Sequence, residues 1–306
     1  MNDVVLQCLP SSARDASLLA SRLGLPMHEI EAHQFPDGEL RVTVGAAAQT
    51  TILYVPLDHP NDKLITLLFA AEALRRGGAK RLVLVAPYLC YMRQDAAFHQ
   101  GEAISQKVIG SLLARSVDRL VTVDAHLHRT TSIKNVFPGI ESDNLSAMPA
   151  IADALRSAGI DPRTIVVGPD AESRPWVNDL ADRLGIAHTV ARKERHSDRS
   201  VDVGFTDPKM FAGRPVLLVD DIVSSGGTLI ACAKALAAAG AGTIDAVVTH
   251  ALFAAALAAD FSRAGIRSIR STNSVLHPTN TISLDGVLAM ALRGELGNAA
   301  TPDKNL

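Results

Sequence analysis

The stretch Val216-Leu217-Leu218-Val219-Asp220-Asp221-Ile222-Val223-Ser224-Ser225-Gly226-Gly227-Thr228 decides the fold and indicates the kind of site it carries. Its first four residues are apolar and predict a buried strand that ends at two carboxylates. The two glycines allow the backbone to turn tightly around an anion, and the hydroxyl groups add donors. An Ala-rich helix begins at Thr228, and the amides of its N-terminus point at the same position. We therefore interpret Ser224 to Thr228 as a phosphate-binding loop rather than as an ordinary tight turn.

The acidic pair before this loop indicates what accompanies the phosphate. Asp220 and Asp221 carry charge of the same sign as a phosphate, so they do not bind it directly. Carboxylates in this position can hold the hydroxyl groups of a ribose or a hydrated Mg²⁺ ion. The strand, the acidic pair and the loop together favour a sugar phosphate as the ligand.

Two further apolar strands also lead into polar side chains. Val121-Thr122-Val123 is followed by Asp124-Ala125-His126, and Ile165-Val166-Val167 is followed by Gly168-Pro169-Asp170. In an open parallel sheet, ligands bind outside the carboxyl ends of the strands, so all three strand endings could face one cleft. The alternative, which is the commoner one for any single example, is that the aspartate only caps the next helix or begins a turn.

Short β-branched runs alternate with Ala- and Leu-rich segments of helical period along the chain. This alternation is typical of βαβ units and predicts an α/β fold with mainly parallel sheets flanked by helices. The pattern restarts after Asn144, so we predict two domains, 1–146 and 147–306, and the last predicted strand and helix (282–293) can return to the first domain. The predicted strands are 4–9, 40–44, 52–55, 82–86, 120–124, 164–167, 188–191, 216–219, 244–249 and 268–272, with a further extended run at 201–205. The predicted helices are 13–23, 61–76, 103–115, 147–157, 174–184, 228–239 and 254–264.

Length and composition exclude several classes of protein. The 306 residues leave room for two domains with a large core in each. The formal net charge of −2 provides no global field that would attract nucleic acid or an anionic membrane. The longest apolar stretch, 251–259, is too short to span a membrane, and the N-terminus lacks the pattern of a secretory signal. We expect a cytoplasmic protein whose three cysteines are reduced core thiols, with no nucleic-acid or membrane partner.

Two other polar segments allow more than one interpretation. The segment 192–199 is dense in charge; it could fold over a cleft and bring a lysine and an arginine to phosphoryl oxygens, or it could be a solvated hairpin tip. Phe35-Pro36-Asp37-Gly38-Glu39 places an aromatic ring before two carboxylates, which can receive a base, but taken alone the segment is better explained as a routine turn. No P-loop and no dinucleotide-binding fingerprint is present in the sequence.

Taken together, these segments resemble the ribose-phosphate pyrophosphokinase family, also called phosphoribosyl diphosphate (PRPP) synthetases. The resemblance runs along nearly the whole chain, and the order of the segments carries it. In chain order the matching segments are Phe35 to Glu39, Pro60-Asn61-Asp62, Pro87-Tyr88 with Arg93-Gln94-Asp95, His126, Asp170, Lys193 with Arg195, and Val219 to Thr228.

The resemblance implies two domains of the type I phosphoribosyltransferase kind and a defined reaction. In that reaction the anomeric hydroxyl of ribose 5-phosphate attacks the β-phosphorus of Mg-ATP and gives PRPP and AMP. Such a transfer depends on positioning and on neutralisation of charge rather than on a covalent nucleophile. The family also implies Mg²⁺ as cofactor, and a homo-oligomer, a dimer or an assembly of dimers, because its adenine-binding turn reaches across a subunit boundary.

Each matching residue has an expected role by the same resemblance. The expected roles are catalysis for Lys193 and Arg195; ATP binding for Phe35, Asp37, Glu39, Arg93, Gln94 and Asp95; ribose 5-phosphate binding for Asp220, Asp221, Ser224, Ser225, Gly226, Gly227 and Thr228; and metal binding for His126 and Asp170.

The chain departs from the family pattern at several places. Ser224-Ser225 stands where many members have Asp-Thr, and Glu172-Ser173 stands where they have Gly-Gly. The continuation after His126 also differs, and we interpret His128 as a surface histidine.

Two other functions remain open from the sequence. A type I phosphoribosyltransferase that uses PRPP would share the loop at 220–228, but it is not expected to keep the segments of the first half. A non-catalytic paralogue that regulates an active synthetase is the second, and the presence of Lys193, Arg195 and His126 argues against it.

Overall fold

The apolar runs of the sequence form two separate six-stranded sheets in the computed structural model, which describes residues 3–127, 129–197 and 200–297. The contacts divide the chain into two compact units. Unit 1 is Met1–Leu145 together with Asp285–Leu306, and unit 2 is Ser146–Leu284. The predicted surface histidine, His128, lies outside the described residues.

Unit 1 is built on a parallel sheet of strand order β2-β1-β5-β6-β7-β8, and β3 and β4 form a separate antiparallel hairpin. Its elements up to the boundary are β1 (Val4–Cys8), α1 (Ala13–Leu23), β2 (Met27–Glu29), β3 (Glu31–Gln34), β4 (Leu40–Thr43), β5 (Thr50–Tyr54), α2 (Pro60–Arg76), β6 (Arg81–Ala86), α3 (Ser105–Ala114), β7 (Arg119–Val123), α4 (Ile133–Val136) and β8 (Glu141–Leu145).

Unit 2 repeats this plan with a parallel sheet of strand order β10-β9-β13-β14-β15-β16, and β11 and β12 form an antiparallel ribbon. Its elements are α5 (Met148–Ser157), β9 (Ile165–Gly168), α6 (Arg174–Leu184), β10 (His188–Val190), β11 (Arg192–Ser197), β12 (Ser200–Gly204), β13 (Val216–Val223), α7 (Gly227–Ala238), β14 (Ile244–Ala251), α8 (Ala258–Arg263), β15 (Ile266–Thr272) and β16 (Asn280–Ile282). The last helix, α9 (Asp285–Leu292), belongs to unit 1.

Each sheet carries its own core. In unit 1, Leu67 and Leu74 of α2 and Leu113 of α3 are buried against Leu53 and Leu84 of the sheet. In unit 2, α7 buries a corresponding face against β13 and β14. Helices that cover the sheets explain why the strands read as continuous apolar runs. The predicted α/β class with mainly parallel sheets is confirmed.

An ion network at the amino ends of β6, β7 and β8 holds the segment after α9. The Glu295 side chain is 6% exposed and accepts hydrogen bonds from Arg81 Nε at 2.7 Å and from Arg119 Nη1 at 2.8 Å. Arg81 also binds Glu141, and Arg119 binds Asp143. Burial alone would raise the pKa of Glu295, but the two arginines outweigh it and the pKa is lowered.

Two details of the predicted elements are wrong. Strand β13 does not end at Val219 but continues to Val223, because β14 goes on pairing with it. The α-helix predicted at 254–264 begins at Ala258. Residues 192–197 of the charged segment form one arm of an antiparallel ribbon, which agrees with the hairpin alternative, and residues 198 and 199 lie outside the described part. Of the three strands that lead into polar side chains, β7 is in unit 1 and β9 and β13 are in unit 2, so the expectation that they face one cleft stays a prediction.

Several short elements were not predicted from the sequence: β2, β3, α4 and β8. The strands among them are three to five residues long and mostly polar or exposed, so they carry no run of apolar residues that would mark them. Among the described residues, no helix is long and apolar enough to cross a membrane. Cys8, Cys90 and Cys232 are buried free thiols, as predicted.

We predict that Glu295→Gln lowers the free energy of unfolding by about 2 kcal/mol at neutral pH, because it leaves two partly buried guanidinium groups without their shared carboxylate. A carboxyl group whose pKa is lowered in the folded state stabilises the fold above its ordinary pKa, and this contribution is lost as the pH falls. The difference between the variant and the wild type should therefore shrink in acid. Denaturant unfolding at both pH values measures it.

Glu72→Gln is the matched control for this prediction, because Glu72 pairs with Arg76 on an exposed face of α2. We expect it to change stability by less than about 0.5 kcal/mol. Equal effects of the two variants, or a pH-independent effect of Glu295→Gln, would contradict the importance of the buried network.

Candidate active site

The predicted phosphate-binding loop, Ser224 to Thr228, runs from the carboxyl end of β13 into the first turn of α7. Gly226 caps α7 with φ +73°, and a Cβ atom there would lie 2.7 Å from Cε1 of Phe261. The fold itself therefore requires glycine at this position. Gly227 is different, because a Cβ atom there would meet only Ser225 Oγ, at 3.9 Å. Packing does not require a glycine at 227, and its missing side chain leaves open space above the loop.

The first turn of α7 supplies hydrogen-bond donors to that space. In the described structure, no side chain caps this helix. The amides of Gly227, Thr228 and Leu229 have no acceptor inside the helix, because the first N–H groups of any α-helix lack one. Together with the helix dipole they favour an anion. The exposed Ser225 and the half-buried Ser224 and Thr228 place hydroxyl groups in the same loop.

Three carboxylates lie together beside the loop. Strand β9 pairs with β13 only as far as Leu218, so Asp220 and Asp221 extend past the end of β9. Asp220 is half-buried, Asp221 is 3% exposed, and the Asp221 amide donates to Asp220 Oδ1 at 3.1 Å. Burial, and then the charges of Asp221 and Asp170, raise the pKa of Asp220 well above its usual range. The predicted ribose-binding pair and the predicted metal ligand Asp170 are thus brought together.

The turn after Asp170 explains one departure from the family pattern. The Asp170 carboxylate accepts a hydrogen bond from the amide of Glu172 at 3.1 Å. Ser173 is fully buried, and its Oγ donates to the Asp170 carbonyl at 2.6 Å. A Cβ atom on Gly168 would lie 2.0 Å from that same Oγ, so Ser173 fills the space that Gly168 leaves. Ser173 therefore fixes the turn that presents Asp170.

The charged ribbon begins beside this turn. Lys193 and Arg195 lie on β11, opposite Val203 and Val201 of β12. Their side chains lie outside the described part of the structure. At the foot of the ribbon, a cavity of about 490 Å³ opens at the carboxyl ends of β9 and β10, and it is lined by Asp170, Ala171, Glu172, Arg174, Val190, Ala191 and Arg192.

In unit 1, the polar residues gather in the loops after β5, β6 and β7. Each of these loops contains a non-glycine residue in the left-handed region: His59 with φ 45°, Tyr91 with φ 61° and Asp124 with φ 39°. Such backbone conformations cost free energy and cluster at functional sites. The Tyr91 hydroxyl donates to Asn61 Oδ1 at 2.6 Å and so joins the loop after β6 to the first turn of α2. None of these features was apparent from the sequence.

The predicted ATP-binding residues after β6 are held by a buried glutamine. Gln106 is 4% exposed, its amide nitrogen donates to the Met92 carbonyl, and its backbone N–H donates to the Gln94 carbonyl. Thr130, in the loop after β7, donates to Gln106 Oε1 at 2.9 Å. Arg93 is exposed between these fixed points. Gln106 was not singled out in the sequence, and a polar residue at the start of a predicted helix gives no distinctive signal.

Asp95, also predicted to bind ATP, is engaged within the protein. Its side chain is 1% exposed, and it forms an ion pair with Arg129, whose Nη1 lies 2.7 Å from Asp95 Oδ1. Burial would raise the pKa of Asp95, but the hydrogen bonds and the charge of Arg129 lower it overall.

His126 is half-buried in the loop after β7. Strand β8 fixes this loop, because the Asp124 amide donates to the Leu145 carbonyl and the Ala125 amide donates to Asn144 Oδ1, both at 2.8 Å. The two predicted metal ligands belong to different units, His126 to unit 1 and Asp170 to unit 2. Among the described residues, no three histidine, cysteine or acidic side chains are arranged to hold a metal ion by themselves.

The predicted adenine-binding turn is the tip of the β3–β4 hairpin. The Phe35 amide donates to the Glu39 carbonyl at 2.8 Å, and Asp37 Oδ1 accepts from the Glu39 amide at 3.1 Å. The Phe35 ring is 39% exposed and packs edge to face on His33. The turn thus presents an aromatic face and the carboxylate of Glu39 to solvent.

Both units are α/β structures built on a parallel sheet. In unit 2, strand β13 contains an acidic pair and leads through a Gly-Gly loop into a helix. This arrangement defines a protein of the type I phosphoribosyltransferase fold. A family model for the N-terminal domain of ribose phosphate pyrophosphokinase matches residues 4–116, and a phosphoribosyl transferase domain model matches residues 145–276.

Individual relatives agree with these matches. A ribose-phosphate pyrophosphokinase of Methanopyrus kandleri is 31% identical over 91% of this chain and 95% of its own, and one of Pyrococcus abyssi is 33% identical over 92% and 95%. The crystal structure of phosphoribosylpyrophosphate synthetase from Mycobacterium smegmatis superposes with a TM-score of 0.83 at 25% identity, covering 96% of this chain and 99% of that one. The chain belongs to the ribose-phosphate pyrophosphokinase family, which confirms the predicted family and the predicted pair of domain folds.

We predict that Asp220→Asn raises the free energy of unfolding by about 1 kcal/mol at neutral pH while it impairs the site. A carboxyl group whose pKa is raised in the folded state destabilises the fold as the pH rises above its ordinary pKa. The amide removes that repulsion, so its advantage should disappear in acid, where the carboxyl group is protonated. Denaturant unfolding at neutral and acidic pH measures the difference.

Asp182→Asn serves as the control, because Asp182 is an exposed residue of α6. It should leave stability within about 0.5 kcal/mol of the wild type. A destabilised Asp220→Asn variant at neutral pH would show that the three carboxylates do not oppose one another.

Proposed function

We propose that the two units divide the family reaction between them, with ribose 5-phosphate bound by unit 2 and ATP bound by the loops of unit 1. The chain transfers the β,γ-diphosphoryl group of ATP to the C1 hydroxyl of ribose 5-phosphate and gives PRPP and AMP. The observation that carries the proposal is the open space above Gly227, at the N-terminus of α7 and beside Asp220 and Asp221.

The 5-phosphate is assigned to the loop 224–228. Amides at the start of α7 and the hydroxyls of Ser224, Ser225 and Thr228 can donate to its oxygens, and Gly226 and Gly227 allow the backbone to approach closely. Phe261 supports the loop from below, because it packs directly against Gly226.

The ribose is assigned to Asp220 and Asp221. Hydroxyl groups at C2 and C3 are donors, and the crowded carboxylates are acceptors, so this contact relieves part of the repulsion that raises the pKa of Asp220. Binding of these hydroxyls fixes the ring and orients the C1 hydroxyl for attack. Such positioning supplies a large share of the rate in phosphoryl transfer.

The residues of unit 2 fit a bound Mg²⁺. Asp170 and the acidic pair provide the hard oxygen donors that Mg²⁺ prefers, and their mutual repulsion favours a cation. Mg²⁺ commonly takes one or two carboxylates and completes its shell with waters and substrate phosphates, so a full set of protein ligands is not required. The imidazole of His126 is a less favourable ligand for this ion. When bound, Mg²⁺ supplies neutralisation of phosphate charge.

ATP is assigned to Arg93, Gln94 and the exposed face of Phe35. Arg93 can bind phosphate oxygens, and the amide of Gln94 can bind the nucleotide. The Phe35 ring can stack on adenine while Glu39 accepts a hydrogen bond from its amino group. The hairpin is assigned to the nucleotide site of a neighbouring copy, which makes the working enzyme a homo-oligomer.

Lys193 and Arg195 are assigned to the charge that develops on the transferring group. Strand β11 begins at Arg192, which lines the cavity beside Asp170, and the ribbon extends from there. Two cations on a ribbon can close over the reacting phosphates and exclude water.

The reaction is tested by incubating the purified chain with ATP and ribose 5-phosphate alone, with and without Mg²⁺. AMP and PRPP should form together, and only with Mg²⁺. A phosphoribosyltransferase that consumes PRPP forms no AMP from this mixture, and a regulatory paralogue binds ATP without forming AMP. The match of residues 4–116 to the N-terminal domain of the family favours the synthetase over the first alternative.

We predict that Lys193→Ala lowers kcat by about 100- to 1000-fold while the KM for ATP changes by less than about threefold, because its contact is strongest in the transition state. Initial-rate assays of AMP formation measure both constants. Lys209→Ala, an exposed lysine of unit 2, is the control and should behave as the wild type. An equal loss of kcat and of ATP affinity would contradict the role of Lys193.

We predict that Gly227→Val raises the KM for ribose 5-phosphate by more than about 100-fold, because its side chain fills the space assigned to the phosphate. The fold should tolerate it, with stability within about 1 kcal/mol of the wild type. Gly226→Ala, in contrast, should cost about 2 kcal/mol of stability, because of its left-handed φ and the collision with Phe261. Kinetics and denaturant unfolding separate the two effects. A normal KM in Gly227→Val would place the phosphate elsewhere.

A further inference from the structure

We propose that Arg129 is an additional ATP-binding residue, held by Asp95 so that its remaining guanidinium nitrogens contact the phosphate oxygens of the nucleotide. This inference rests on the proposed function of unit 1 as the ATP side. It assigns to Asp95 a positioning role, in place of the direct ATP contact expected from the family.

The position of Arg129 follows from the topology of the sheet. Asp95 lies in the loop after β6, two residues beyond Arg93, and Arg129 lies in the loop after β7, three residues beyond His126. Strands β6 and β7 are parallel neighbours, so both loops lie at the same edge of the sheet. Ligands of parallel sheets bind at this edge.

The contact between the two residues anchors only part of the guanidinium. Asp95 Oδ1 accepts from Arg129 Nη1 at 2.7 Å, and Asp95 Oδ2 accepts from the Arg129 backbone amide at 3.1 Å. The carboxylate is 1% exposed, whereas the arginine side chain is 61% exposed. The protein thus encloses the anion of the pair and leaves the other donors of the cation in solvent.

The ring of Phe98 fixes the plane of the guanidinium. Cζ of Arg129 lies 5.3 Å from the ring centroid, within the range of a cation–π contact. The loop that carries Phe98 is itself held, because the amides of Phe98 and His99 both donate to the Glu102 carboxylate, at 2.8 and 3.1 Å. The orientation of Arg129 is therefore set before any ligand arrives.

A purely structural role accounts poorly for this arrangement. Ion pairs with an exposed partner contribute little to stability, and burying a carboxylate costs free energy. Here the buried carboxylate of Asp95 and the Phe98 ring, which is 57% exposed, both contact the exposed guanidinium of Arg129. The sequence between Arg93 and Ile104 contains no other lysine or arginine, so Arg93 has no cationic neighbour in its own loop. A triphosphate needs more than one cation, and a preoriented arginine supplies the second.

The test is the KM for Mg-ATP in Arg129→Ala, with equilibrium binding of Mg-ATP measured in parallel. Loss of a charge-assisted contact should raise the KM and the dissociation constant about tenfold or more. The KM for ribose 5-phosphate should stay at the wild-type value, whereas the unfolding midpoint should fall, because the buried carboxylate of Asp95 loses its ion-pair partner. Arg76→Ala removes an exposed arginine of α2 that pairs with Glu72, and it is the matched control. An unchanged ATP affinity in Arg129→Ala overturns the proposal.

Asp95→Asn distinguishes positioning from simple electrostatics. Removal of a carboxylate near ATP should strengthen nucleotide binding by charge alone, whereas loss of the anchor should weaken it about threefold or more. In the Arg129→Ala background, Asp95→Asn should have no further effect on the KM for ATP. Tighter ATP binding in Asp95→Asn, or an undiminished effect in the double variant, overturns the positioning role.

One more variant, and the binding of Mg-ATP, complete the test. Arg129→Lys keeps the charge and the ion pair with Asp95 but has one nitrogen in place of three. We therefore expect weaker ATP binding in this variant, although its fold is preserved. Wild-type affinity for ATP would overturn the proposal. If the wild type forms no AMP, the proposed function fails, but the binding measurements with Mg-ATP still decide the role of Arg129.

Discussion

The site of unit 2 depends on the crowding of three carboxylates where β13 extends past the end of β9. Asp220 and Asp221 continue a strand whose neighbour β9 has already ended, and Asp170 follows the end of that neighbour. Burial and the neighbouring negative charges raise the pKa of Asp220. The fold tolerates this because a donor-rich helix terminus adjoins the acidic pair, and because hydroxyl donors and a cation can occupy the space between them. The crowded carboxylates therefore lower the stability of the fold, but they are already placed for a ligand before it binds.

In unit 1, the network that stabilises the fold lies at the amino ends of the strands, and the candidate binding residues lie at the carboxyl ends. At the amino ends, buried Glu295 joins Arg81 and Arg119 in a fully paired network that secures the returning C-terminal segment. At the carboxyl ends, three loops each contain a left-handed non-glycine residue, and Arg93 and Arg129 are exposed in the loops after β6 and β7. A paired network rigidifies, whereas strained loops present groups to a ligand. This division is typical of parallel α/β sheets, in which ligands bind at the carboxyl ends of the strands.

Elements that depend on a local pattern of apolar residues could be predicted from the sequence. Helices α1 and α6 follow apolar periodicity and end at a glycine, and both agree with the prediction at each end. The acidic extension of β13 and the polar edge strand β8 could not be predicted, because pairing with a neighbouring strand, not composition, makes them strands. The ion pair of Asp95 with Arg129 joins residues 34 positions apart, and no local signal indicates it. The family resemblance, rather than spacing, suggested the roles of Lys193 and His126.

Ribose 5-phosphate that relieves the carboxylate crowding in unit 2 should stabilise the folded protein. The measurement is the shift of the thermal unfolding midpoint on adding ribose 5-phosphate and Mg²⁺ together, in the wild type and in Asp220→Asn. A ligand that binds only the folded state stabilises it in proportion to its affinity. We expect a clear upward shift of the midpoint in the wild type and a much smaller one in Asp220→Asn. Equal shifts in the two proteins would contradict it.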